Sequence, residues 1–427
     1  MKTVSIALLA GLLGSACVQP DPAAQASAFK ERVLYSFCSQ QYCTDGADPM
    51  AGLIDVKGTF YGTAAGGGIG NLGSNEPGVV FSINPRTGAE KVIYYFCSQG
   101  YCPDGEVPMA GLIYVRGILY GTTQLGGTFN GGTVFSIDPN TGAEAVLYSF
   151  CRRRVRKTEC ADGAAPVASL IEVNGILYGT TEYGGNSKRP RRTNGYGIVF
   201  SVNPRTGAEK VLHNFTGGTD GARPTANLVD VNGILYGTTE YGGADNDGTV
   251  FSLDPSTGAE TVLHAFVGTD GSIPAAGLID VNGILYGTTV TGGTPGGHGT
   301  VFAIDPDTGT ETVLYSFSGG TDGAEPFASL SYGSGTLYGT TYLGGGTGCG
   351  QIGCGTAFAL DPDTGAETVL YSFCNQQNYQ NCIHGFYPTA NLIDVKGRLY
   401  GTTDGGGIGT EGNCDDGCGT VFVLNEK

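Results

Sequence analysis

Tryptophan is absent from the chain, methionine occurs three times, histidine four times, and only 14% of the residues are charged. So little charge argues against a solvated, disordered polymer, and no stretch repeats apolar residues with the period of an amphipathic helix. The short motifs of common chemistries are missing as well. There is no G-x-S-x-G, no H-E-x-x-H and no phosphate-binding loop. The four histidines, His213, His264, His298 and His384, are scattered; the first two replace a strand tyrosine and are expected to pack rather than to ligate. No metal and no cofactor is therefore expected. A formal charge of -17, with no basic groove interleaved with aromatics, speaks against a nucleic-acid partner. What is abundant is glycine, 75 residues, and tyrosine, 23, a composition of turn-rich β-structure.

The first residues, MKTVSIALLAGLLGSACVQP, place one lysine before an apolar stretch too short to remain as a membrane span, and read as a signal peptide over 1–16. The segment LGSAC resembles a bacterial lipobox, which would make Cys17 the acylated first residue of a tether over 17–30. Gly14 departs from the usual leucine, so ordinary cleavage after Ala16 or within AQASA stays open. The expected location is outside the cytoplasm, as an outer-membrane or cell-surface lipoprotein held by its lipid alone, or as a periplasmic or secreted monomer. Twelve of the 13 cysteines form close pairs: Cys38 with Cys43, Cys97 with Cys102, Cys151 with Cys160, Cys349 with Cys354, Cys374 with Cys382, and Cys414 with Cys418. Local pairs in an exported chain are expected to be disulfides; zinc is the weaker reading, since no C-x-x-C and no histidine pair accompanies them.

The motif Tyr-Gly-Thr recurs seven times, at Tyr61, Tyr120, Tyr178, Tyr236, Tyr286, Tyr338 and Tyr400, at intervals of 50 to 62 residues. Around each copy lie four apolar segments of strand length, as in NLVDV, ILYGTT, GTVFSLD and ETVLHAF. V-N-G or V-K-G joins the first two and D-P-x-T-G the last two, which are hairpin turns. A four-stranded meander repeated at this period is a propeller blade, because one such sheet buries its faces only against its neighbours. After export the ordered chain is expected to start with KERVLYSF, a fourth strand, and it stops at GTVFVLNEK, a third. The expectation is an all-β, seven-bladed propeller over 31–427 whose last blade is completed by pairing the N-terminal and C-terminal strands.

The pattern DGxxPxxGL, LYGTT, GG, GTVF and VLYSF resembles the GloVer tandem repeats, named after Gloeobacter and Verrucomicrobia. That resemblance implies an exported, often surface-anchored, propeller-like protein, and it brings no catalytic residues.

In such a meander all long loops share one face, and the other carries only hairpin turns. Function is sought where the repeats differ. The residues after YGTT are Gln124, Glu182, Glu240, Val290, Tyr342 and Asp404, followed in two repeats by Tyr183 and Tyr241. Carboxylates, an amide and tyrosine rings near the pore rim suit sugars, although the lack of tryptophan weakens that case. Glu182 and Glu240 also allow an acid and nucleophile pair, which identical repeat contexts make the lesser reading. Aspartates of a repeated Asp-Gly, from Asp45 to Asp322, are expected to serve turns rather than a cation. Nine of the 22 basic residues crowd two loops, Arg152, Arg153, Arg154, Arg156 and Lys157 in one and Lys188, Arg189, Arg191 and Arg192 in the other, a possible attraction for an anionic partner. The expected function is thus non-catalytic recognition of a glycan or protein, with a secreted polysaccharide hydrolase or lyase and a structural envelope protein as alternatives.

Overall fold

A computed structural model describes residues 29–69, 77–98, 100–156, 159–186, 195–294, 296–346, 348–374, 382–408 and 417–426. Its strands form seven four-stranded antiparallel sheets in a ring. Blade 1 consists of Ile54–Val56, Thr59–Ala64, Val79–Ile83 and Glu90–Tyr95. Blades 2 to 6 repeat that order over 113–149, 171–214, 229–265, 279–316 and 331–372. Blade 7 takes Ile393–Asp394, Leu399–Thr403 and Thr420–Glu426 from one end of the chain and Phe29–Ser36 from the other. Phe29 pairs with Glu426 and Ser36 with Thr420, so the ring closes through the ends of the chain as expected. Among the described residues no helix is long and apolar enough to cross a membrane.

The repeated residues explain the repeated contacts. The Phe of each GTVF strand meets, edge to face, the Phe that ends the previous blade's outer strand; Phe215 and Phe251 stand 5.2 Å apart, and Phe37 and Phe81 close the ring at 4.9 Å. The glycine of YGT makes room for that ring, since a Cβ on Gly237 would lie 2.7 Å from Cζ of Phe251. The first Thr of YGTT donates its hydroxyl to an alanine carbonyl of the next blade, from Thr63 to Ala110 at 2.8 Å through to Thr402 and Ala51 at 3.1 Å. These seven alanines belong to the small residues that line the central channel.

A polar seam follows the outer strands. In four repeats the Asp of Asp-Gly accepts from the outer-strand tyrosine, as Asp162 does from Tyr148 at 2.7 Å, and Asp162 also accepts from the loop amides of Arg152 and Arg153. These carboxylates therefore lie at the periphery as turn acceptors. His213 and His264 take the tyrosine's place, each edge-on to the following Phe at 4.8 Å, with His264 3.0 Å from Asp270. A glutamate of the adjoining blade faces each seam: Glu90, Glu144, Glu209, Glu260, Glu311, Glu367 and, at the closure, Glu31 beside His384. Every one of these seven has Oε1 buried with no partner among the described residues. Burial, mostly reinforced by the neighbouring aspartate, pushes Glu90, Glu144 and Glu311 up to about 7 and Glu367 up to about 8.

Candidate functional site: the mouth of the central channel

Three positions of each repeat converge where the long loops surround the channel. The first is the residue after YGTT, whose backbone N-H is held by the carbonyl of the residue preceding the repeat proline: Gln124 by Val107, Glu182 by Ala165, Glu240 by Arg223, Tyr342 by Glu325 and Asp404 by Tyr387. The second is that pre-proline residue. All seven, including the bulky Val107 and Ile273, have φ between 55° and 59°, a left-handed backbone that side chains of this kind seldom adopt, particularly before proline. The third is the residue after the proline. A cavity of about 510 Å³ is lined by the third position in every repeat, by the first in five and by the second in two, Arg223 and Glu325.

The structure brings Gln124, Glu182, Glu240, Tyr342 and Asp404 into this one cavity. It adds Arg223, Glu325 and Phe327, which lie next to the repeat proline and outside the YGTT motif. Val290, the apolar member of the series, is buried. Tyr183 and Tyr241 stand beside the cavity and flank Arg223, whose guanidinium carbon lies 5.6 Å and 5.4 Å from their ring centroids.

Chemically the mouth has two sides. On one, Arg223 donates to Glu182 and lies 3.6 Å from Glu240, while Thr225 donates to the other oxygen of Glu240 at 2.9 Å. Burial raises the Glu240 carboxyl and Arg223 opposes the rise. On the other, Tyr342 stacks on Tyr387 with centroids 4.4 Å apart and meets Phe327 edge-on at 5.7 Å. Asp404, raised by burial alone, and Glu325, also raised by burial, complete the rim. Since Glu182 and Glu240 share one arginine, they form an ion-paired clamp, an arrangement unlike a free acid facing a free nucleophile.

Five of the six expected cysteine pairs are disulfides: Cys38–Cys43, Cys97–Cys102, Cys151–Cys160, Cys349–Cys354 and Cys374–Cys382. Cys418 is disulfide-bonded too, and Cys414 lies outside the described residues. Of the basic loops, Arg152, Arg153 and Arg154 are exposed on the loop face. Arg153 pairs with Glu209 of the seam at 2.7 Å, and Arg154 lines a cleft beside Tyr183. Arg156 ends a short strand; Lys157, Lys188, Arg189, Arg191 and Arg192 lie outside the described residues, as do Cys17 and the expected signal peptide.

Solved structures share the fold. An oligogalacturonate lyase in complex with manganese is similar over 94% of this chain and 94% of its own, with a TM-score of 0.52 and 11% identity. The extracellular domain of the hybrid two-component system BT4673 from B. thetaiotaomicron matches 92% of this chain and 39% of its own, with a TM-score of 0.52 and 12% identity. Quinohemoprotein alcohol dehydrogenase from Comamonas testosteroni matches 94% of this chain and 77% of its own at a TM-score of 0.50 and 14% identity. At such identities the likeness concerns the propeller alone. No curated protein sequence matches. Five disulfides in a repeat propeller mark an exported or extracellular protein. The model of the Gloeobacter/Verrucomicrobia repeat matches residues 23–191 and 157–353, well over half of the chain, and the protein accordingly belongs to the Gloeobacter/Verrucomicrobia repeat family.

Proposed function

We propose that this propeller is a non-catalytic receptor displayed outside the cytoplasm that holds the end of a glycan in its central mouth. The observation that carries the reading is the pairing of an aromatic shelf, Phe327, Tyr342 and Tyr387, with an ionic rim of Glu182, Arg223 and Glu240. A pyranose presents an apolar face for stacking and hydroxyls for carboxylates, and a cavity of about 510 Å³ holds a small-molecule-sized portion of such a chain. A protein partner fits a broad flat surface better than this concavity.

The test is a glycan array followed by calorimetry on the best ligand. Tyr342→Ala is expected to weaken binding about tenfold while lowering the melting temperature only slightly, so that the variant is fully folded in the assay. Product formed from a polysaccharide panel and abolished by Glu182→Gln or Glu240→Gln would replace this reading with the hydrolase or lyase alternative. No retained glycan, and wholesale replacement of the loop face without consequence in cells, would favour the structural one.

A further inference from the structure

The hairpin face is regular in backbone and irregular in charge. At the turn between the first and second strands the seven blades carry Lys57, Arg116, Asn174, Asn232, Asn282, Ser334 and Lys396, all with φ from 51° to 59°. Asparagine is suited to that left-handed position, and long cations are not. Three blades nevertheless keep one. At the turn between the third and fourth strands Arg86 and Arg205 belong to blades 1 and 3, against Asp307 and Asp363 in blades 5 and 6. Blade 7 adds Arg398. Positive charge thus gathers on blades 7, 1, 2 and 3, although the repeat needs none of it.

It is densest where the ring closes. A cleft of about 770 Å³ between blades 7 and 1 is lined by Lys57, Arg86, Lys396 and Arg398 with one carboxylate, Asp55. Asp55 accepts the Gly58 amide at 2.7 Å, and nearby Asp394 accepts that of Gly397 at 2.8 Å, so both serve their turns. The four cations are exposed, and none takes part in an ion pair among the described residues. Phe29, the first described residue, pairs with Glu426 at the hairpin end of blade 7, on this same face. Gly88, in the turn that carries Arg86, abuts the carbonyl of Leu34 in that N-terminal strand.

We propose that this cleft binds the phosphate of an anionic lipid headgroup and tilts the propeller onto a membrane by the hairpin side of blades 7 and 1, leaving the mouth on the opposite face pointing away. Screening over about 8 Å at physiological salt confines the interaction to the charges around the cleft, so neither the net -17 of the whole chain nor the exposed carboxylates on the turns of blades 4 to 6, such as Asp280, Asp307 and Asp363, forbid it. The proposal does not depend on the ligand at the mouth.

The experiment uses the full exported chain carrying Cys17→Ser, which removes any acyl anchor, and co-sedimentation with vesicles of phosphatidylglycerol and phosphatidylcholine in equal parts or of phosphatidylcholine alone. Binding is expected to the anionic vesicles only and to weaken with salt. Lys57→Glu, Arg86→Glu, Lys396→Glu and Arg398→Glu combined should lower it at least about 100-fold, at roughly fivefold or more per cation. Ser256→Glu on the far half of the face should leave it unchanged, and all of these exposed substitutions should leave the melting temperature intact. Equal partitioning onto neutral vesicles, or full binding by the fourfold variant, overturns the proposal. So does saturable binding of inorganic pyrophosphate without vesicle binding, which reassigns the cleft to a soluble anion.

Discussion

The seams between blades and the mouth of the channel are made by the same repeat, yet one is seven times alike and the other seven times different. At a seam, Phe on Phe, Thr on carbonyl and Glu against Asp recur with little change in partner or distance. At the mouth, equivalent backbone positions carry alanine, glutamine, glutamate, valine, tyrosine and aspartate. A constant seam lets the mouth vary without cost to the fold, and the variation is therefore what the molecule offers to a partner.

Four substitutions or conditions would break or sharpen this division. The largest effect is expected at the seam: Phe251→Ala should cost about 3–5 kcal/mol in denaturant unfolding, with ligand affinity at the mouth retained below the transition. Arg223→Leu should blur the boundary, because it strips the shared cation from two largely buried carboxylates. A loss of about 1–3 kcal/mol and a weakened ligand are both expected, and a stability change without any change in affinity would reduce Arg223 to a structural part.

The acidity of the seam comes next. A glutamate raised from 4.5 to about 7 or 8 on folding takes up a proton when the chain folds. Its contribution is full below about 4.5 and is lost as pH rises through 7 to 8, so thermal unfolding at about pH 5 should occur several degrees above that at about pH 8.5. Glu90→Gln with Glu144→Gln should shrink that difference by the share of these two groups, leaving the part due to the other raised glutamates, and an unchanged profile would show that Glu90 and Glu144 are ionised throughout. The smallest effect belongs to Thr238→Val, which removes a single staple to the Ala276 carbonyl, 3.2 Å away, at about 1 kcal/mol.

Much of the fold could be read in the sequence because a blade is a local object. YGT copies, hairpin turns and the complementary ends of the chain name seven sheets and their closure. The seam glutamates were not legible, since within its own strand a glutamate such as Glu144 looks like a solvated residue and only the next blade buries it. The mouth was half legible. Glu182, Glu240, Tyr342 and Asp404 follow a fixed motif and differ between copies, which is the signal used. Arg223, Glu325 and Tyr387 also differ between copies, but a residue before proline reads as extended chain in a turn, and the left-handed backbone that aims it at the channel depends on a hydrogen bond from the YGTT strand. The seven-membered column of pre-proline residues was the signal available.

Closure through Phe29–Ser36 and Thr420–Glu426 also sets an order of events. During synthesis the propeller's earliest strand must wait for its latest, and until the two meet blade 7 presents open backbone edges. A chain truncated before Thr420 would leave its N-terminal strand with a lasting vacancy beside it, open to the same strand of a second molecule. Completion of the ring therefore rests on one long-range pairing, Phe29–Ser36 with Thr420–Glu426, across the length of the propeller.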